Sequence, residues 1–388
     1  MGDHRHGKLG MSRPPLIWFA DDWGRHPSSS QHLARQILAH RRIHWVNTIG
    51  TRKPALNPVA LQRGLEKLRQ WSKPLQTVGL PPHLTVSQPI MWPWFSREWD
   101  RYLNRRLLSR HLRRVIHRMS DLPIVITTLP LVADLIGRVP ARRWVYYCVD
   151  DFSAWPGLDG RTLRRMEERL LPRVDRVISV SEVLQNRLRS MGRDSVLLTH
   201  GVDLEFWSQP KQGASVPELH QPGVERPLIL FWGVIDRRMD GQFIEALCRA
   251  DIGQVVLVGP QSDPAPELLQ IPGLRLLPPQ PLERLPGLAQ QAAVLVMPYA
   301  DLPVTRAIQP LKLKEYLATG RPCVVRDLPA NRVWADCLDL ADTADRFVEA
   351  VRLRIREGLP ESQRQARQRL QHESWSEKAR QFEQIIDE

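Results

Sequence analysis

The sequence is poor in cysteine and has no long apolar segment. Its four cysteines form no C-x-x-C pair and mostly lie in or near apolar segments, which indicates a reduced, cytosolic chain. No run of 18 apolar residues occurs, so no transmembrane helix is expected. The amino terminus, MGDHRHGKLGMSRPP, lacks the apolar core of a signal peptide. No cluster of His, Cys and Asp indicates a tight metal site, so we expect no metal and no other cofactor.

Acidic residues are scarce in the first half of the chain, which is therefore strongly basic. The 388 residues carry a net charge of +13, but residues 1–200 hold 33 Lys and Arg against 16 Asp and Glu, a balance of +17. Residues 201–388 have a balance of −4. This asymmetry predicts one basic domain that faces an anionic partner.

Short apolar runs alternate with helical patterns on both sides of a polar segment. The runs before it are 15–20, 43–50, 123–130, 143–150, 176–181 and 195–201, and those after it are 227–233, 254–259, 274–279, 293–299 and 322–328. Continuous apolar runs of this length are typical of strands buried on both faces of a parallel sheet. The pattern predicts an α/β protein with two doubly wound, Rossmann-like domains.

The domain boundaries follow from composition. Residues 1–207 form the first domain, and residues 208–227, rich in Pro, Gly, Gln and Ser, are read as a linker. Residues 228–370 form the second domain, and a last amphipathic helix is expected within 371–388. Ligands of such sheets bind beyond the carboxyl ends of the strands, so we expect the site in a central cleft between the domains.

The stretch QPLKLKEYLATGRPCVV, residues 309–325, predicts a helix that ends at Gly320 and leads into a buried strand. Lys312 lies in the first turn, where the helix terminus is already positive, so an anion is expected beside it. Glu315, three residues later, faces the same way and can accept two hydrogen bonds from a sugar diol. The alternative is an exposed Lys312–Glu315 pair without a ligand.

The first strand of the second domain leads into a basic turn, in LILFWGVIDRRMDG (228–241). Gly233 lets a ligand approach the backbone closely, and Arg237 and Arg238 follow it at the same edge as Lys312. Arginine is suited to bidentate contact with phosphate, so a diphosphate held by an arginine and Lys312 is predicted. The alternative is a solvated basic turn.

These segments resemble a known family. FWGVIDRRMD, VVLVGP, VLVMPY and PLKLKEYLATGRPCVV are similar to the donor domain of the GT-B glycosyltransferases, in particular the family 4 type. YYCVDDFSAWPG, VDRVISVSEVL and THGVDLEFW resemble the first domain and crossover of that family, in the right order and over nearly the whole chain. The resemblance implies a nucleotide-sugar donor and metal-independent transfer with retention. By this analogy Glu315 binds the ribose hydroxyls, while Lys312 and Arg238, or Arg237, bind the diphosphate.

One position departs from the family pattern. The family often has two glutamates separated by seven residues, the first of which contacts the donor sugar. Ala307 stands where that first glutamate would lie, and the neighbouring Arg306 and Gln309 are not obvious replacements. The identity of the donor sugar is therefore open.

Candidate residues on the acceptor side follow the strands of the first domain. Asp150 and Asp151 come at the end of a strand, where either could orient or deprotonate the acceptor, or cap the next turn. The leaving phosphate can itself take the proton in retaining enzymes of this type, so a protein base is not required. Fixed cations at that phosphate, Arg238 and Lys312, would stabilise its developing charge. His200, at the crossover, is either a site residue or a structural histidine.

The loop and helix of residues 19–38 also resemble the family. Gly24 and the serines at 28, 29 and 30 could place backbone N–H groups near the donor phosphates or the acceptor. A helix opened by Ser30 as its N-cap needs no such function.

A long helix candidate follows a tryptophan cluster, within residues 91–119. Residues 101–118 contain seven arginines and no acid, and an apolar stripe runs from Leu103 to Met119. These features favour a helix that lies on an anionic membrane surface, with core packing of the stripe as the alternative. The arginines expected to contact the membrane are Arg105, Arg106, Arg113 and Arg114.

The sequence predicts a cytoplasmic glycosyltransferase peripheral to the inner face of the plasma membrane. It would transfer a sugar from a nucleotide sugar to a lipid-linked or other saccharide acceptor in polysaccharide or glycolipid biosynthesis. Two alternatives stay open, namely a nucleotide-sugar epimerase and a catalytically degenerate scaffold or binding protein. Nucleic acid is not an expected partner, because neither interleaved exposed aromatics nor a nucleic-acid-binding module is recognised.

Overall fold

The computed structural model describes residues 13–24, 28–48, 79–209, 219 and 226–388. The chain divides into two compact units. The first unit contains Met1–Ser179, Arg187–Val196 and Ala379–Glu388, and the second contains Val180–Asn186 and Leu197–Lys378. Most of the expected linker, 208–227, lies outside the described residues.

The first sheet has seven strands in the order β3-β2-β1-β4-β5-β6-β7. The pairs from β3 to β6 are parallel. Trp18 on the buried strand β1 lies between the rings of Trp45, at 5.8 Å, and Phe382, at 5.2 Å. The strands are β1 Leu16–Ala20, β2 Ile43–Asn47, β3 Leu84–Ser87, β4 Ile124–Thr127, β5 Arg143–Cys148, β6 Arg176–Ser179 and β7 Val196–Leu197.

Helices pack around this sheet, as the alternation of apolar runs and helical patterns predicts. Among the described residues up to 190, the helices are α1 Ser29–Ile37, α2 Glu98–Ile116, α3 Gly160–Leu170 and α4 Glu182–Ser190. Short 3-10 helices cover Pro130–Leu135 and Leu171–Arg173. A further helix, α5 Leu204–Ser208, begins the second unit after the crossover and buries Trp207.

The second sheet has six strands in the order β10-β9-β8-β11-β12-β13, and every adjacent pair is parallel. Each sheet reverses its strand order beside its first strand, which is the doubly wound topology. The fold class predicted from the sequence is therefore confirmed. The strands are β8 Leu228–Trp232, β9 Gln254–Val258, β10 Leu274–Leu277, β11 Val294–Met297, β12 Cys323–Arg326 and β13 Asp339–Ala341.

The helices after β8 complete the chain. They are α6 Gly241–Ala250, α7 Leu285–Gln291, α8 Pro303–Ala307, α9 Leu311–Ala318, α10 Pro329–Arg332, α11 Ala344–Glu357, α12 Glu361–Ala366 and α13 Trp375–Asp387. Helix α9 belongs to the stretch 309–325, with Pro310 as its N-cap. It ends before Gly320, whose φ of +74° suits glycine. The final helix α13 contributes its residues from Ala379 onward to the first unit.

Two strands and one helix start differ from the sequence prediction. Strands β3 and β13 lie at the sheet edges and are only partly buried, so neither has the continuous apolar run that marks the others. Helix α1 begins with Ser28 as its N-cap, because the Ser28 hydroxyl accepts the Gln31 N–H at 3.4 Å. The prediction of Ser30 as the N-cap is wrong, since Ser30 lies inside the first turn and is buried.

Candidate functional site

The carboxyl end of β8 meets the start of α9 in the second unit. Gly233 follows β8 with a φ of +147°, a conformation that favours glycine. A Cβ placed on Gly233 would lie 2.2 Å from Cε and 2.9 Å from Nζ of Lys312. The lysine side chain therefore occupies the space that the missing side chain leaves. From the sequence we expected a ligand to approach the backbone here, and the structure shows the aliphatic part of the Lys312 side chain in this space.

The next strand approaches the same point just as closely. Gly259 follows β9 with a φ of +153°, and a Cβ there would lie 1.8 Å from the carbonyl oxygen of Gly233. Only glycine lets the two backbones pass this closely. The two glycines therefore allow the ends of β8 and β9 to approach each other closely beneath Lys312.

The amino terminus of α9 has no side-chain cap. Pro310 provides no side-chain cap, and the first turn contains no acidic residue. Free N–H groups at a helix terminus, together with the ammonium of Lys312, favour a bound anion such as phosphate. The structure thus places Lys312 where the sequence predicted it.

Glu315 lies one turn into α9 and is only partly exposed. Burial raises the pKa of its carboxyl to about 7. The Lys312 ammonium and the Trp232 side chain partly oppose this shift, because both lower the pKa. Trp232, the last residue of β8, stacks on Trp207 at 5.6 Å and meets Tyr316 at 4.1 Å. The Tyr316 hydroxyl accepts the Trp232 N–H at 3.0 Å, which ties β8 to α9. Lys312 and Trp232 therefore both favour the ionised form of Glu315.

The two arginines after Gly233 point in different directions, which the sequence could not decide. Arg237 is about half exposed, and its Nε lies 2.9 Å from the Asp263 carboxylate. Arg238 is 11% exposed, forms a 2.8 Å ion pair with Asp236 and lies 5.6 Å from the Tyr299 ring centroid. Because β8 and β11 are neighbours, the loops that follow them share an edge of the sheet. Arg238 is the arginine held at this edge, and Arg237 forms a surface pair.

The two neighbours of Ala307 that could replace the glutamate of the family pattern, Arg306 and Gln309, both have other partners. Ala307 is buried and its carbonyl accepts the Ser181 hydroxyl at 2.5 Å. Arg306 is exposed and bound to Asp301 through contacts of 2.5 and 2.7 Å. The Gln309 side chain accepts the backbone N–H of His200 at 2.5 Å. Each neighbour is thus already engaged within the fold.

His200 is held in place by its backbone. Its N–H is bound by Gln309, its carbonyl accepts the Lys314 ammonium, and its ring lies 6.4 Å from that of Trp375. The residue is buried in the second unit. This environment favours the structural alternative for His200.

Lys314 is a residue whose role the sequence did not reveal. It is buried and forms an ion pair with Glu373, and Lys378 binds the same carboxylate at 2.8 Å. Burial lowers the pKa of Lys314 to about 8, although Glu373 opposes the shift. Lys314 therefore anchors α9 to the chain segment that precedes α13, while Lys312 stays available at the helix terminus.

Asp151, in the first unit, is engaged in a local turn. Its Oδ1 accepts the Ser153 N–H at 3.0 Å and the Ser153 hydroxyl at 2.5 Å, and its Oδ2 lies 3.5 Å from Arg187 Nε. Arg187 also binds Glu167 through two contacts of 2.7 Å. These contacts match the turn-capping alternative. Asp150 is half-buried at the end of the same loop, and its backbone carbonyl accepts the Cys148 thiol at 3.8 Å.

The loop after β1 closes on itself through the side chain of Gln31. The Gln31 Oε1 accepts the Gly24 N–H at 3.1 Å, and its Nε2 donates to Asp21 Oδ2 at 3.3 Å. Although Asp21 is partly open to solvent, desolvation raises the pKa of its carboxyl. The Gly24 N–H is thus already bonded to Gln31, and the expectation that N–H groups of this loop lie near the donor phosphates or the acceptor stays a prediction. Ser29 and Ser30 are buried in the first turn of α1, beyond the Ser28 cap.

The apolar stripe of α2 is part of the core of the first unit. Leu108, Leu112 and Ile116 are buried, so the expectation that this stripe enters a membrane is wrong. The arginine face stays at the surface: Arg106, Arg113 and Arg114 are exposed, and Arg105 is half-buried with its guanidinium 5.1 Å from the Tyr102 ring.

Exposed aromatic side chains adjoin the arginine face. Trp99 is 63% exposed and stacks on Tyr102 at 5.9 Å.

Within the described ranges, no helix is long and apolar enough to cross a bilayer. The same ranges hold no group of three or more His, Cys, Asp or Glu arranged for a metal ion.

The two doubly wound sheets match the GT-B fold of solved structures. The chain is similar to the sucrose-phosphate synthase of Thermosynechococcus elongatus, with a TM-score of 0.72, 17% identity and coverage of 97% of this chain and 98% of that one. It is also similar to HepE of Anabaena in complex with UDP and glucose, with a TM-score of 0.67, 14% identity and coverage of 97% and 100%.

One sequence relative adds to these structures. The Bacillus subtilis protein named "Putative teichuronic acid biosynthesis glycosyltransferase TuaH" is 28% identical over 180 residues. The matched segment covers 44% of this chain and 45% of TuaH, so the chain spans less than half the length of that relative. No family model matches the chain.

Proposed function

We propose that this protein is a glycosyltransferase that takes its sugar from a nucleotide-diphosphate sugar. One observation carries the proposal: Lys312 lies over Gly233 at the uncapped start of α9, with the carboxyl of Glu315 one turn further on. An ammonium beside free helix N–H groups suits a diphosphate. A carboxylate next to it suits a pair of ribose hydroxyls. The resemblance to HepE, which was solved with UDP and with UDP-glucose, supports UDP sugars as the first donors to test.

In the proposed reaction the bond between the anomeric carbon and the diphosphate breaks, and negative charge grows on the leaving phosphate. Fixed cations at that phosphate stabilise the transition state more than the ground state. Lys312 and Arg238 are our candidates, because Arg238 is oriented by Asp236 and Tyr299 whereas Arg237 is bound at the surface. We propose transfer with retention and without a metal ion, in line with the family resemblance.

The proposed acceptor is a saccharide, carried on a lipid. The link of TuaH to teichuronic acid biosynthesis supports a role in polysaccharide assembly. The excess basicity of residues 1–200 and the exposed arginine face of α2 support association with an anionic membrane from the cytoplasmic side. With the apolar stripe in the core, this association would be electrostatic and assisted by the exposed Trp99.

A thermal-shift panel of UDP, GDP, ADP and TDP sugars tests the proposal. A true donor stabilises the folded protein by mass action. Lys312→Ala and Glu315→Ala should each weaken donor binding by about 1.5–3 kcal/mol, the value of a hydrogen bond to a charged group. Arg346→Ala is a matched control, because its ion pair with Asp342 lies at an exposed helix end of the same unit. If no nucleotide sugar raises the melting temperature, or if both site variants keep the wild-type affinity, the donor assignment fails.

A second candidate is a binding protein that has lost transfer activity. It rests on Ala307, since Arg306 and Gln309 are bound to Asp301 and His200 and neither replaces the missing carboxylate. The thermal-shift panel does not separate the two functions, because both bind the donor; an assay of nucleotide release does. A binding protein would be stabilised by the donor but would release no nucleotide in the presence of acceptor membranes.

A further inference from the structure

A basic groove lies in the first unit, at the amino-terminal ends of its strands. Its volume is about 630 Å³, and it opens to solvent where β5 and β6 begin. The strand β5 has six residues, or about 20 Å, so its carboxyl end with Asp150 and Asp151 lies well away from the groove. The groove is therefore separate from the residues considered above for acceptor chemistry.

The charge of the groove is one-sided. Among the described residues, four arginines line it, against one acid, Asp175. The Asp175 carboxylate already accepts the Trp144 N–H at 2.7 Å. Arg142 lies 3.9 Å from Asp121, and both side chains of this pair are more than half exposed. The arginines are Arg113, Arg138, Arg142 and Arg173.

The remaining lining of the groove is largely apolar. Its apolar residues are Ile136, Val139, Pro140, Ala141 and Trp144. The Asp175 N–H donates to the Trp144 carbonyl at 2.9 Å, and Arg113 donates to the Arg138 carbonyl at 3.0 Å. Such contacts hold the walls in place before a ligand arrives, which lowers the entropy cost of binding.

Apolar side chains beside guanidinium groups suit an anionic sugar chain. Guanidinium forks match planar carboxylates as well as phosphates, and the apolar residues can cover the apolar face of a sugar ring. The volume falls in the range of sites for small ligands of several rings. A concave groove also fits a chain end better than the flat surface of a bilayer. We infer that this groove binds a carboxylate-bearing oligosaccharide, at a site distinct from the donor site.

The test uses the full chain and tetragalacturonate, with maltotetraose as the uncharged probe. In calorimetry at low salt, tetragalacturonate should bind and maltotetraose should not. The triple variant Arg138→Gln, Arg142→Gln and Arg173→Gln should bind about tenfold more weakly. A matched triple, Arg161→Gln, Arg165→Gln and Arg169→Gln, removes the same charge from the exposed face of α3 and should leave affinity unchanged.

Several outcomes would overturn the inference. Equal losses in both triples would mean that only net charge matters, and unchanged affinity in the groove triple would place binding elsewhere. A single-stranded oligonucleotide of equal charge that binds as tightly, with the same loss, would indicate a general polyanion patch. Loss of phosphatidylglycerol vesicle binding in the groove triple alone, without tetragalacturonate binding in the wild type, would indicate a lipid surface. The inference does not rest on transfer activity, and the groove triple should keep its stabilisation by a nucleotide sugar, which depends on the second unit.

Discussion

The half-titrated carboxyl of Glu315 makes donor binding depend on pH in a calculable way. Burial holds the pKa of Glu315 at about 7 in the free protein. To accept two ribose hydroxyls, Glu315 must be ionised, so binding below that pKa must release a proton. For a single group of pKa 7 that is fully ionised in the complex, affinity falls about tenfold between pH 8 and pH 6, or about 1.4 kcal/mol.

Calorimetry with a nucleotide sugar at the two pH values measures this change. A nucleotide sugar is the right probe, because its diphosphate has no terminal phosphate group that titrates near neutral pH. Repeating the titration at pH 6 in buffers of different ionisation enthalpy should show the release of about 0.9 proton per donor bound, from the same single-group calculation. Lys312→Ala should move the midpoint upward, because the Lys312 ammonium lowers the pKa of Glu315.

Glu315→Gln provides the control. It cannot titrate, so its donor affinity should be weak and nearly constant between the two pH values. Stability gives an independent check of the sign. Because the pKa of Glu315 is higher in the folded than in the unfolded protein, the wild type loses stability as pH rises from the unfolded pKa to the folded one. Glu315→Gln has no such loss. It should therefore gain stability relative to wild type between about pH 4.5 and pH 7. A flat wild-type binding profile, or the same slope in Glu315→Gln, would refute the assignment of Glu315 to the ribose.

Three further predictions concern the remaining candidate residues. Arg238→Ala should reduce turnover about a hundredfold, more than it weakens donor affinity, whereas Arg237→Ala should leave both nearly unchanged in steady-state assays; equal effects would remove the distinction. Gly233→Ala should weaken donor binding and lower the melting temperature, because the added Cβ clashes with the Lys312 side chain. Adding Lys312→Ala removes that clash and should recover part of the stability. Additive changes in melting temperature would contradict this. Binding to phosphatidylglycerol vesicles should fall with rising salt and with four Arg→Gln changes in α2, while donor binding persists; wild type that stays in the supernatant at low salt would exclude the membrane proposal. The four are Arg105, Arg106, Arg113 and Arg114.

The sequence predicted the interior of both sheets because their strands are buried on both faces. Central strands such as β1, β8 and β11 are continuous apolar runs, which no amphipathic helix of that length would show. The edge strands β3 and β13 have one open side and therefore lack this signal. The sequence was ambiguous for α2, because a periodic apolar stripe is equally compatible with core packing and with a membrane surface. Only the packing of Leu108 and Leu112 decides between them.

Site residues were predictable where the backbone alone positions them. Gly233 and Lys312 follow from a strand end and a helix start, and both lie where the sequence placed them. The choice between Arg237 and Arg238 depended on side-chain partners, Asp263 and Asp236, and no spacing rule selects these.

The two lysines of α9 show the limit of such reasoning most clearly. Lys312 and Lys314 are two residues apart on a helix, so they point to different sides. One lies at the open terminus beside Glu315, and the other is buried against Glu373, which is 59 positions away in the sequence. Nothing local distinguishes them, because the partner that neutralises Lys314 arrives only when the segment before α13 packs on α9. That buried ion pair also fixes the helix that carries Lys312. The positive charge offered to a ligand is therefore positioned by a second lysine whose own charge is fully used within the fold.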